Sequence, residues 1–120
     1  MKKAAVILLA AVTFAVLTRP TFAADSTIQG YLVDIACGTT EGSRPHFGIT
    51  HSVNCLRMPE CEESGYGLLT PDSKVIRFDK AGSQQAKKFI AELKKTTDVK
   101  VAVTGAVSGE TMTVTRIELQ

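Results

Sequence analysis

Every cysteine and histidine of this chain lies in one short stretch: Cys37, His46, His51, Cys55 and Cys61. Three chemistries can be built from such a set. The first is a disulfide. Three cysteines allow one bridge with three pairings, 37–55, 37–61 or 55–61, and leave one thiol over. Pairing Cys37 with Cys55 or Cys61 is expected, because either bond would tether the segment that follows Cys37 back to it. Closing the loop from 37 to 61 would stabilise a small domain by roughly 3 kcal/mol on the chain-entropy argument. The second is a soft-metal site. His51 and Cys55 are four residues apart, which on a helix puts them on one face. With Cys37 and Cys61 they would make a tetrahedral Cys₃His set of the zinc type, and thiolates beside Met58 would also suit Cu(I). The spacing Cys-x17-Cys-x5-Cys matches no standard zinc motif, and there is no Cys-x-x-Cys. His46 reads as a loop residue. The third chemistry, a Cys55 nucleophile served by His51 as base, has the least support, because nothing nearby supplies an oxyanion site. No catalytic residue is assigned, and no cofactor is expected apart from the alternative Zn or Cu.

Glu60, Glu62 and Glu63 crowd around Cys61 and read as a solvated acidic knot. Asp34 is placed to accept hydrogen bonds from the amides that follow it, as short polar residues do. There is no Gly-rich phosphate loop and no Gly-x-Ser-x-Gly elbow.

The elements that must position these residues are mostly strands. Ile28–Ile35 reads as a strand with a bend at Gly30. Residues 38–50 read as an exposed loop rich in Gly, Thr, Ser and Pro. A short helix is expected over His51–Met58, ended by Pro59. Tyr66–Thr70 and Lys74–Phe78 flank the turn Pro71-Asp72-Ser73 and form a hairpin. Gly82-Ser83 opens a helix with Ser83 as N-cap. Its apolar face is Ala86, Phe89, Ile90 and Leu93, and Lys94 and Lys95 close its last turn. Val99–Thr104 alternates as a half-buried strand, and Ser108-Gly109-Glu110 is a turn. The last strand runs from Met112 to Leu119, where a change of apolar phase implies a bulge near Thr115-Arg116. The expected fold class is mainly β with one amphipathic helix: a five-stranded OB-like barrel in the order strand, insertion, strand, strand, helix, strand, strand. The insertion, at about 38–64, carries all the unusual residues.

The start of the chain has a separate logic. Lys2 and Lys3 precede an apolar run from Ala4 to Leu17, and Thr21-Phe22-Ala23 supplies small residues at a cleavage site. This is the layout of a secretory signal peptide, with cleavage expected after Ala23. The run is too short for a membrane span. Residues 24–120 then form a single domain, expected in the periplasm or secreted. The leader takes Lys2, Lys3 and Arg19 with it. The 14 basic and 12 acidic residues of the chain become 11 and 12, a net charge of −1. Such a near-neutral domain has no electrostatic case for nucleic acid. Lys87, Lys88, Lys94 and Lys95 read as a solvated helix face. The function expected from these features is a small exported binding module, bridged by a disulfide in the loop after its first strand, for an unassigned periplasmic or extracellular ligand. The alternative is a soft-metal protein using Cys37, His51, Cys55 and Cys61. A leftover thiol would also permit a disulfide-linked dimer.

The run Gly30-Tyr31-Leu32-Val33-Asp34-Ile35-Ala36-Cys37-Gly38, followed by His51, Cys55, Cys61 and Ser64-Gly65, resembles a family of small exported, uncharacterised bacterial proteins. Val-Ala-Val-Thr-Gly at 101–105 and Thr-Val-Thr-Arg-Ile at 113–117 extend the resemblance over most of residues 24–120. The resemblance implies an OB-like barrel and export, and brings no activity with it.

Overall fold

The computed structural model of the protein describes residues 11–12, 14–16 and 24–120. The expected leader and its cleavage point fall almost wholly outside the described residues. Among the described residues, no helix is long and apolar enough to cross a membrane.

Among the described residues, five strands and five helices follow one another: β1 (Ser26–Asp34), α1 (Ile35–Glu41), α2 (Phe47–Thr50), α3 (Val53–Leu56), α4 (Pro59–Ser64), β2 (Tyr66–Leu69), β3 (Val75–Phe78), α5 (Lys80–Ala91), β4 (Lys100–Ser108) and β5 (Thr111–Leu119). The strands form a mainly β, five-stranded sheet that closes in a ring in the order β1-β2-β3-β5-β4. All neighbours are antiparallel except β3 and β5, which pair in parallel over Arg77–Thr111 and Phe78–Met112. β1 serves two partners. Its first part, from Ser26, lies against β4, and its last part, to Asp34, lies against β2. The strand must bend between them, and Gly30 stands there: a Cβ at this position would run into the Leu69 carbonyl. The bulge read from the sequence is also present. Thr104 faces Arg116 while Gly105 faces Val114, so Thr115 is the extra residue.

Period-two alternation divides the apolar residues of β1 between two clusters. Leu32 points into the ring with Leu68, Val101, Val103 and Met112, where Ala86 and Ile90 of α5 cover it. Val33 points outward and packs with Phe47 and Leu69 under the insertion. This outer cluster is why residues 38–50 are not the exposed loop expected. α1 and α2 lie there, with Gly38, Phe47 and Gly48 buried.

Other boundaries also move. α5 begins earlier than expected, its N-cap lying four residues before Ser83 at Asp79, and the Asp79 carboxylate accepts the Gly82 N–H at 3.0 Å. Asp79 also accepts the Val114 N–H at 3.2 Å, tying the helix start to β5. The Ser83 hydroxyl instead accepts the Tyr66 N–H at 3.1 Å. α5 ends at Ala91, so Lys94 and Lys95 lie beyond it rather than in its last turn. Of the expected apolar face, Ala86 and Ile90 are buried and Phe89 is half-buried within the helix, while Leu93 packs half-buried against the core from beyond its end.

Candidate metal centre

The site begins where β1 stops. Asp34 is fully buried, ends the strand with extended backbone, and caps α1 by accepting the Cys37 N–H at 2.9 Å. Its other oxygen lies 2.7 Å from His51 Nε2. A buried carboxylate needs such partners to remain ionised. Burial alone would raise the Asp34 pKa, but the hydrogen bonds from His51 and from the Cys37 amide outweigh it and hold the carboxyl down to about 2. Asp34 is therefore ionised at neutral pH, and His51 must donate from Nε2. A neutral ring that donates from Nε2 has its lone pair on Nδ1.

The expected helix over His51–Met58 is not formed as one piece. α3 is only Val53–Leu56, and His51 lies before it as the extended C-cap of α2. Helical spacing is therefore not what unites His51 with Cys55. Two extended residues, His51 and Ser52, join α2 to α3 instead. Ser52 caps α3 by accepting the Cys55 N–H at 3.0 Å, and the Val53 N–H donates to the Thr96 carbonyl at 2.8 Å. Phe47 packs against the His51 ring, 4.7 Å between centroids. Arg57, after α3, donates to the Ile90 and Leu93 carbonyls at 2.9 and 3.0 Å, and the Tyr66 hydroxyl donates to Leu56 O at 2.6 Å. The short helix is thus held to both α5 and β2.

Pro59 was expected to end a helix. It begins one, at the first helical position of α4, where a missing N–H costs nothing. α4 carries Cys61 and is fastened to α1 directly. The Ile35 N–H donates to Gly65 O at 2.9 Å, the Ala36 N–H donates to Ser64 Oγ at 3.1 Å, and Ser64 Oγ donates to Cys61 O at 2.7 Å.

Two donor groups result, and both contain Cys37. Ligand atoms of Cys37, His51 and Cys55 lie within 4.8 Å of one another, and so do those of Asp34, Cys37 and Cys61. The four-residue set read from the sequence is therefore divided: three members converge, and Cys61 meets Cys37 on the Asp34 side. All three cysteines are free, so the one expected bridge is not formed in any of its three pairings. Cys37 and Cys61 are 4.4 Å apart. His46, exposed at the start of α2, and Met58, 46% exposed before α4, lie outside both groups. Of the acidic knot, Glu62 pairs with Lys87 at 3.3 Å. Asp34 is the functional residue the sequence reading undervalued. Its capping role was legible three residues before Cys37, whereas its pairing with His51 depends on the fold of the insertion.

Burial, reinforced by the Asp34 charge, pushes the Cys37 thiol up to about 12 and the Cys61 thiol up to about 11. An activated thiol nucleophile needs the opposite environment. A cation bound between the sulfurs would reverse the balance and favour the thiolate. No family model matches the chain, and neither does any curated protein or solved structure.

Proposed function

We propose that this protein binds one soft or borderline metal ion, zinc or Cu(I), through Cys37, His51 and Cys55. One observation carries the reading: two sulfurs and an imidazole from three separate elements converge within 4.8 Å. The hydrogen bond from His51 Nε2 to Asp34 strengthens it. A ligating histidine commonly gives its second nitrogen to a carboxylate, which fixes the ring and raises its basicity. Three protein donors leave a coordination position free, the pattern of an ion that reacts or is passed on rather than one that only staples a fold. The ring of five strands, with α5 between the third and fourth, supports an OB-like barrel as the scaffold, and the insertion between its first two strands as the metal-bearing segment. The Lys2–Ala23 pattern supports export, which would put the site in an oxidising compartment.

The test is uptake by the fully reduced protein. Titration with Co²⁺ as a zinc probe should give the intense thiolate charge-transfer bands and visible bands of tetrahedral coordination. Zn²⁺ should then displace the cobalt at one equivalent. Cys55→Ser and His51→Ala should each abolish or strongly weaken the spectrum. Reduced protein that takes up none of Co²⁺, Zn²⁺ or Cu(I) would overturn the proposal and return the cluster to the disulfide reading.

A further inference from the structure

Cys37 belongs to both donor groups and cannot serve both sulfur partners at once. We infer that Cys61 is a redox latch on the metal centre: its oxidation to a disulfide with Cys37 removes a ligand and releases the ion. The inference rests on the metal reading above.

The geometry favours this bond. Cys37 and Cys61 are 4.4 Å apart, and each sits at the third position of its helix, α1 and α4. The first turn of α1 is already fixed to the C-terminal end of α4 through Ile35, Ala36, Ser64 and Gly65, and Ser64 Oγ donates back to Cys61 O. Bond formation then needs a modest side-chain adjustment and no movement of the sheet. Accessibility sets the order of events. Cys37 is half-buried, whereas Cys61 is 6% exposed. A small disulfide reagent therefore reaches Cys37 first and Cys61 resolves the adduct.

With oxidised glutathione as oxidant, the step is two thiol–disulfide exchanges. The Cys37 sulfur attacks one glutathione sulfur, the S–S bond breaks, and one glutathione leaves. The Cys61 sulfur attacks the Cys37 sulfur of the mixed disulfide, and the second glutathione leaves. The protein gives up two electrons, and the two glutathiones take them as thiols. From the metal-free protein, both protons come from the protein thiols. From the zinc-loaded protein, Cys61 supplies one proton and solvent supplies the other as the ion departs. The bridged sulfur of Cys37 no longer carries thiolate charge, so the remaining donors are His51 and Cys55.

The experiment uses reduced protein loaded with one equivalent of Zn²⁺, treated with oxidised glutathione in the presence of a chromophoric chelator. Intact mass and a peptide map are recorded in parallel. Zinc release should accompany the loss of two hydrogens and a Cys37–Cys61 cross-link, and dithiothreitol should restore uptake. Cys61→Ser should take up zinc as the parent does and stop at a mixed disulfide of glutathione on Cys37, whose zinc loss reduced glutathione reverses, because no resolving thiol remains on that side. A Cys37–Cys55 cross-link as the main product would overturn the inference. So would zinc retained by protein carrying the Cys37–Cys61 bridge. Both of these outcomes leave the metal reading standing. Reduced protein that takes up no zinc at the outset removes that reading and this one together. The map and the retained-metal measurement use unaltered protein, so the test survives even if Cys61→Ser fails to fold.

Discussion

Asp34 does three things with one carboxylate: it ends β1, caps α1 and orients His51. Asp34→Asn keeps an oxygen for the Cys37 N–H but removes the charge that faces His51. The metal-free protein should lose about 2–3 kcal/mol in urea unfolding, the cost of breaking a buried charged hydrogen bond. Zinc affinity should fall by roughly 10–100-fold in chelator competition, as for other residues that support a ligating histidine. The same carboxyl sets an acid limit. Its unfolded value is about 3.9 and its folded value about 2, so the folded state holds fewer protons between them. That contribution, about 2 kcal/mol, is complete above pH of about 4 and is lost as pH falls toward 2, which acid titration of the metal-free protein should show. Metal binding runs against protons in the same direction. Cys37 titrates at about 12, so an ion must displace its proton throughout the neutral range. For that proton alone, zinc affinity should rise about tenfold for each unit of pH, read by competition at several pH values.

At the scale of elements, the strands were legible because their causes are local. Alternation marks Val99, Val101 and Val103, turn chemistry marks 71–73, and the shift of apolar phase marks the extra residue Thr115. Gly30 is the clearest case. It allows β1 to pass from β4 to β2, and Gly30→Ala should cost about 1–3 kcal/mol of stability by thermal or urea unfolding, since the added methyl meets backbone that cannot yield. The insertion was legible in its residues but not in its shape. Its four helices are short, from four to seven residues, too short for a 3.6-residue period to stand out. They persist because of capping and tertiary contacts: Asp34, Ser52 and Pro59 at helix starts, and Phe47 beneath. The proximity of His51 and Cys55 was anticipated from a helical spacing that does not exist, and arises across the extended link His51-Ser52 and the Ser52 cap that starts α3. Ser83 looked like a cap because serine commonly is one, but Asp79 lies nearer the end of β3 and takes both the helix start and a β5 amide.

For the whole molecule, the proposed ligation would join three separate elements of the insertion. Cys37 belongs to α1, His51 to the end of α2 and Cys55 to α3. An ion bound only by the folded state should stabilise it by about 2.7 kcal/mol at a hundredfold excess over Kd, and raise Tm by on the order of 10 °C for a domain of this size. Calorimetry with and without zinc, and after chelation, measures it. The ring of strands has a further consequence, in time rather than energy. Ser26 faces Gly105 and Gln29 faces Ala102, so the first strand finds half of its partners near the other end of the chain. Asp34, which organises the cluster, sits on that same strand. Loop-closure entropy over such separations slows folding to the millisecond-to-second range. During that interval the three thiols are present but unshielded, and any oxidant supplied then acts on a chain that has not yet chosen between its two sulfur partnerships.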